Sequence, residues 1–231
     1  MYVLGLDLET TGLDIKTNRI IEIGAVVWDT ESNTAVTLSN ELINISPEKL
    51  TPNIIDLTGI KDNQLQQFGV NEKLALQNLV SLAKQCVYVV AHNGNNFDKP
   101  VLTRALKRHG LSLDKPWIDT VHDIPYPGTI KTRKLSYLAA EHHYLNTMPH
   151  RAVFDVLTML NICSHYNWSE ILKTAATPTY KVIAKVSYDD RHKAKKAGFR
   201  WDKASSSWVK NIKKDVLDSA DFEFEYDIIE N

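Results

Sequence analysis

Asp7 and Glu9 stand two apart at the end of an apolar run, Tyr2 to Leu8. On a strand, residues so spaced project from one face. An unpaired carboxylate buried in such a run is unfavourable, and a bound cation would resolve it. Another acid, Asp98, closes the segment His92-Asn93-Gly94-Asn95-Asn96-Phe97-Asp98, where a strand ends, a polar turn follows and a helix begins. Alone, an Asp after such a turn reads as a helix cap; Phe97 would face the core and orient it. The third segment is His150-Arg151-Ala152-Val153-Phe154-Asp155, behind Pro149, which marks a helix start. Residues five apart on a helix lie about 140° apart around the axis. His150 and Asp155 therefore converge only if His150 occupies the loop leading in. Four acids and one histidine from three segments form an oxygen-rich set that suits two Mg²⁺ or Mn²⁺ ions, not zinc. Two such ions, roughly 4 Å apart, activate a water and stabilise the leaving oxygen in phosphodiester cleavage. A histidine with an unperturbed pKa of about 6.5 suits removal of that water's proton.

The elements that must position these groups follow from periodicity. Tyr2 to Leu8, Arg19 to Trp28 and Thr34 to Ile45 read as strands, the last two joined by a hairpin at 31–33. The N-terminal run reads as a first strand and not as a signal peptide. Thr51-Pro52-Asn53 opens a helix that Gly59 stops. Leu74, Leu76, Leu79, Val80 and Leu82 form a helical stripe, and Val87 to Ala91 is a strand. Phe97 to His109 is helical, with His109 at its C-terminus; Trp117 to Thr120 is a short strand; Leu135 to Tyr144 and Arg151 to Tyr166 are further helices. His142 and His143 read as helix-surface residues, and Trp117 and Trp168 as core. Strands first, then alternating strand and helix, predict an α/β mixed sheet flanked by helices.

DLET at 7–10, HNGNNFD at 92–98 and HRAVFD at 150–155, in that order, resemble the three motifs of the DEDDh 3′→5′ exonuclease family, of the epsilon-subunit and exodeoxyribonuclease X kind, within the ribonuclease H-like superfamily. The resemblance covers about residues 1–168. It implies a mixed five-stranded sheet, metal ligation by Asp7, Glu9, Asp98 and Asp155 with Asp7 bridging the ions, His150 as general base, and release of 5′-mononucleotides from a 3′ end. It also implies that Thr10, Thr11 and Gly12 cradle the terminal nucleotide, with Leu13 wedged against the last base. His92 and Asn93 would line the pocket. Asp119, in a recurrent Asp-Thr, reads as a helix cap.

Residues 1–172 are thus expected to form an exonuclease domain, with 173–179 a linker and 180–231 a small α+β domain. The chain's net charge of −1 conceals an asymmetry. Residues 181–214 hold eleven Lys/Arg against three Asp, and 215–231 hold seven acids and no Lys or Arg. The pattern AKKAGFRWDKASSSWVK loosely resembles a small module appended to DNA-processing proteins and the HARP motif of annealing helicases. A helix from Asp190 to Ala197 precedes a hairpin, Phe199 to Trp201 and Trp208 to Lys210. Lys193, Lys195, Lys196, Arg200 and Lys210, interleaved with Trp201 and Trp208, suit phosphate contact and base stacking, although tryptophans also fill small cores. The acidic tail reads as a final strand or as a shield over the basic face. Two unpaired cysteines, Cys86 and Cys163, imply buried thiols and a reducing, cytoplasmic setting; no run is long enough to span a membrane. The expected partner is DNA, single-stranded or with a free 3′ end. An exoribonuclease and a non-catalytic nucleic-acid-binding protein are the alternatives.

Overall fold

A computed structural model describes residues 1–229 and divides into two compact units, 1–175 and 176–231. The first unit begins with β1 (Tyr2–Thr10), β2 (Ile20–Asp29) and β3 (Thr34–Leu42), followed by α1 (Pro52–Thr58), α2 (Asp62–Phe68) and α3 (Glu72–Ala83). Then come β4 (Tyr88–Ala91), α4 (Asp98–Arg108), β5 (Trp117–Asp119), α5 (Leu135–Glu141), α6 (Ala152–Cys163) and α7 (Trp168–Ala176). The sheet order is β3-β2-β1-β4-β5. β1, β2 and β3 are antiparallel neighbours; β4 and β5 run parallel to β1. This is the expected mixed five-stranded sheet.

Each sheet face carries its own core. Leu4, Leu6 and Leu8 of β1 enter a core with Leu76 and Leu79 of α3 and Val101 and Leu102 of α4. Val3, Val26 and Val90 enter the opposite core with Leu138 of α5 and Val156, Met159 and Leu160 of α6. α6 lies so close to the sheet that Gly24 must be glycine: a Cβ there would overlap the Val153 nitrogen and the Ala152 carbonyl carbon. Cys86 and Cys163 are buried free thiols. Among the described residues, no helix is long and apolar enough to cross a membrane.

Several expectations are corrected. Residues 62–68, where no element was expected, form a helix whose start is held by the Lys61 N–H on Gln64 Oε1 and whose Leu65 is buried. Residues 173–176, read as linker, continue α7: Asn167 caps the helix, and Trp168, Ile171, Leu172 and Ala175 face the core. α6 starts at Ala152, three residues beyond Pro149. α5 ends at Glu141, so His142 is not a free surface residue. Its Nδ1 lies 2.7 Å from the Leu138 carbonyl oxygen and its Nε2 2.7 Å from the Tyr166 hydroxyl. His109 does close α4, and its Nε2 contacts buried Glu72 at 2.6 Å. Trp168 is buried in the core shared with α6, whereas Trp117 is only partly buried, against the core on the other face of the sheet.

The second unit holds β6 (Thr179–Lys185), α8 (Arg191–Lys196), β7 (Arg200–Asp202), β8 (Ser207–Lys213), α9 (Lys214–Asp218) and β9 (Glu225–Ile229). Its antiparallel sheet has the order β7-β8-β6-β9. Val182, Ala194, Phe199, Ile212 and Leu217 form its core, with Phe222 and Phe224 packed against Phe199 at 5.5 and 5.4 Å between ring centroids. Of the acidic tail, Asp215–Asp218 lies in α9 and Glu225–Ile229 is the expected final strand, paired with β6 at the sheet edge opposite β7; residues 230 and 231 lie outside the described residues.

Candidate active site

Strand alternation sends Leu4, Leu6 and Leu8 to one face of β1 and leaves Val3, Gly5, Asp7 and Glu9 on the face that meets α6. Asp7 pairs in register with Gly24, and Glu9 with Glu22. The glycine lets the start of α6 settle onto β2, which brings Asp155, in its first turn, over the carboxylates of β1. His150 precedes the helix in the left-handed conformation, φ 60°. Its backbone N–H donates to Asp155 Oδ2 at 2.9 Å, and the Asn146 amide donates to Asp155 Oδ1 at 2.5 Å. The lead-in loop therefore folds back on Asp155, which is how two residues five apart in sequence converge. Ligand atoms of Glu9, His150 and Asp155 all lie within 4.8 Å of one another.

Asp98 arrives from the other face. It is the first residue of α4 and is buried; its Oδ1 accepts the Leu8 N–H at 3.0 Å, tying the turn after β4 to β1. Phe97 packs against the core, as expected. Asp98 thus holds β1 instead of capping its helix through the preceding position. Asp7 and Asp98 do not join the tight trio, but they lie near enough to repel each other and the rest.

Burial raises the Asp7 carboxyl well above the usual carboxylate range, and Asp98, Glu9 and Asp155 push it further. Burial, then Asp155 and Glu22, lift Glu9 to about 8; Arg151 opposes this. Asp98 is lifted to about 7 by burial, against the pull of the Leu8 N–H. Burial also raises Asp155, against the donors from His150 and Asn146. Buried acids pressed together in this way, with oxygen donors from three segments and one histidine, fit a hard divalent cation, whose charge would relieve the repulsion.

A fifth acid was overlooked. Glu22 is fully buried, and it accepts from Arg151 Nη2 at 2.7 Å, Arg151 Nε at 3.0 Å, the Ala152 N–H at 2.9 Å and the Asn40 amide at 2.9 Å. It clamps the start of α6 to β2. The signal was present: an acid inside the apolar run RIIEIGAVVW poses the same burial problem that singled out Asp7.

The other expected positions lie as follows. Thr10 is buried and its hydroxyl donates to the Gly12 carbonyl at 2.5 Å. Thr11 and Arg19 exchange hydrogen bonds, the Thr11 N–H to the Arg19 carbonyl at 2.9 Å and the Arg19 N–H to Thr11 Oγ1 at 3.0 Å. Leu13 stands 86% exposed beyond this turn, so folding does not account for it. His92 Nδ1 pairs with Thr120 Oγ1 at 2.8 Å, and burial depresses its pKa. Asn93 is left-handed, φ 61°. Asp119 is no helix cap: it accepts the N–H groups of Asn93, Asn95 and Val121 at 2.9, 3.1 and 3.0 Å and so shapes the turn that delivers Asp98.

In the second unit the expected contacts divide. Lys193 is paired with Asp190 at 2.8 Å, and Lys210 donates to the Ala197 carbonyl at 2.8 Å beside the Phe199 ring. Lys195, Lys196 and Arg200 are exposed. Trp208 packs against the core; Trp201, edge-on to it at 5.9 Å, does not.

Residues 4–163 match the family model described as Exonuclease, and residues 181–229 match that of a domain of unknown function. A PolC-type DNA polymerase III of Ureaplasma parvum is 28% identical over 70% of the chain and 11% of its own length. The 3′-5′ exonuclease DinG of Staphylococcus aureus is 30% identical over 80% of the chain and 20% of its own length. The chain thus spans a fifth or less of these curated relatives. In fold it is similar to the zinc-bound Escherichia coli exonuclease I–single-stranded DNA complex, with TM-score 0.64 at 16% identity over 80% of this chain and 48% of that one. It is also similar to the nuclease domain of 3′hExo, a DEDDh member bound to rAMP, with TM-score 0.60 at 16% identity over 71% and 90%. With the three motifs meeting at one end of the sheet and the family model spanning most of the chain, this protein belongs to the exonuclease family and carries its DEDDh-type nuclease domain.

Proposed function

We propose that the chain is a metal-dependent 3′→5′ exodeoxyribonuclease that releases 5′-mononucleotides. The observation that carries this is the convergence of Asp7, Glu9, Asp98, Asp155 and His150 from three segments on one end of the sheet. Asp7, Glu9, Asp98 and Asp155 would hold two Mg²⁺ or Mn²⁺ ions. Such ions, when bound, supply a nucleophilic hydroxide and neutralise charge developing on the phosphate. His150 takes the proton of the attacking water: it is exposed, and its backbone is pinned to Asp155. The Thr10–Gly12 turn receives the terminal nucleotide, and Leu13 packs against its base. His92, whose pKa burial lowers and whose Nδ1 is tied to Thr120, and Asn93 border that pocket.

DNA is favoured by the name of one relative, a DNA polymerase, and by the single-stranded DNA bound to exonuclease I. The rAMP bound to 3′hExo supports a second reading, an exoribonuclease. The test is a 5′-labelled single-stranded DNA and its RNA counterpart, each with Mg²⁺, with EDTA and with Asp7→Ala. A DNA ladder shortening from the 3′ end, absent in both controls, supports the proposal. Faster RNA shortening transfers it to the second reading, and intact strands in every lane overturn both.

A further inference from the structure

We infer that the Trp201 edge of the second unit is a binding site for single-stranded nucleic acid, with the indole as a stacking surface and Lys195, Lys196 and Lys203 as phosphate contacts. The core of this unit is complete without Trp201. Val182, Phe199, Ile212 and Leu217 fill it, Phe222, Phe224 and Trp208 pack against it, and Trp201 remains 50% exposed. Its register pairing with Trp208 and the edge-on contact at 5.9 Å fix one side of the indole and leave the other in water. A half-exposed, sterically oriented indole on an edge strand is poorly explained by stability and well suited to a base.

The charges around it agree. Lys195 and Lys196 end α8 and Lys203 opens the β7–β8 turn; all three are exposed, with no ion pair among the described residues, whereas Arg200 projects to the other face of β7 and is left out. The acids are used elsewhere. Asp190 pairs with Lys193, Asp202 with Lys181 at 3.7 Å, and Asp227 of the opposite edge strand with Lys185. Lys193 and Lys210 are engaged internally and are excluded from the site. Duplex bases are stacked on one another, so an indole platform selects unpaired bases.

The test measures binding of the full chain in EDTA, independently of whether the carboxylate cluster hydrolyses anything. The probes are fluorescein-labelled 15-mers of dT and rU, an abasic strand of equal length and a duplex. Trp201→Ala is expected to weaken dT and rU binding roughly tenfold while leaving abasic and duplex binding unchanged. Trp201→Phe, which keeps a ring, should stay within about threefold of the unsubstituted protein. Replacing Lys195 and Lys196 together by Gln should reduce the slope of log K against log salt by about 1.4 for single strands. Equal binding of dT by Trp201→Ala and the unsubstituted protein, or an equal loss on the abasic strand, would overturn the inference.

Discussion

The carboxylate cluster of the first unit and the Trp201 edge of the second carry their charges in opposite ways. Asp7, Glu9, Asp98 and Asp155 are drawn out of water and held there by backbone: Leu8 fixes Asp98, His150 fixes Asp155, and the Glu22–Arg151 clamp seats the helix beneath them. Lys195, Lys196 and Lys203 stay in solvent, and Trp201 is half exposed. The first arrangement stores repulsion that a cation or protonation relieves, so its geometry is useful and its stability suffers near neutral pH without metal. The second stores nothing. Substitutions in the two regions should therefore differ in kind.

The largest contrast is catalytic. His150→Ala should lower kcat by roughly 10²- to 10⁴-fold, measured on single-stranded oligonucleotides at saturating Mg²⁺, with thermal stability almost unchanged. Trp201→Ala should instead act on KM; a comparable loss of kcat would dissolve the distinction between the regions.

Next comes stability against pH. The folded-state pKa values of Glu9 and Asp98, about 8 and about 7, lie above the ordinary carboxylate range. Between that range and those values the folded chain binds more protons than the unfolded one, so stability falls as pH rises. The metal-free protein should melt on the order of 5 °C lower at pH 8 than at pH 5. Mg²⁺ should restore the loss, most at pH 8, and Asp7→Asn should raise the metal-free melting temperature at pH 8. Scanning calorimetry in EDTA and in Mg²⁺ decides this. A metal-free protein that grows more stable over that range would contradict the stored repulsion.

A smaller effect tests the clamp. Arg151→Ala leaves Glu22 buried without its cation and should destabilise the fold by about 3 kcal/mol, read by urea unfolding, with kcat reduced through the displaced Asp155. Glu22→Gln, whose single amide oxygen can accept from Arg151 or from the Ala152 N–H but not from both, should do less on both counts. Smallest of all, Leu13→Ala should raise KM a few-fold, as expected for loss of one apolar contact, and leave melting unchanged because Leu13 packs on nothing.

Much of the site was legible because its constraints are local. An acid in an apolar run, a polar turn ending in Asp, and a histidine ahead of a helix each mark chemistry within a few residues, and the antiparallel β2–β3 pair was visible in two strand-like runs joined at 31–33. What escaped depends on distant partners. Glu22 makes sense only once Arg151, 129 positions away, is beside it. Asp119 looked like a cap because its acceptors' partners, Asn93 and Asn95, belong to another turn. Residues 173–176 look like linker by composition, yet Ala175 continues the buried stripe of Trp168 and Ile171. Lys210 counts as a surface cation in sequence, but the α8 C-terminus recruits it.

The most direct test of the central claim is a Mn²⁺ titration followed by electron paramagnetic resonance, comparing the unsubstituted chain with Asp7→Asn. Two bound ions in the first, weakened together in the second, are what a shared carboxylate cluster predicts. Identical Mn²⁺ binding by both proteins would contradict it.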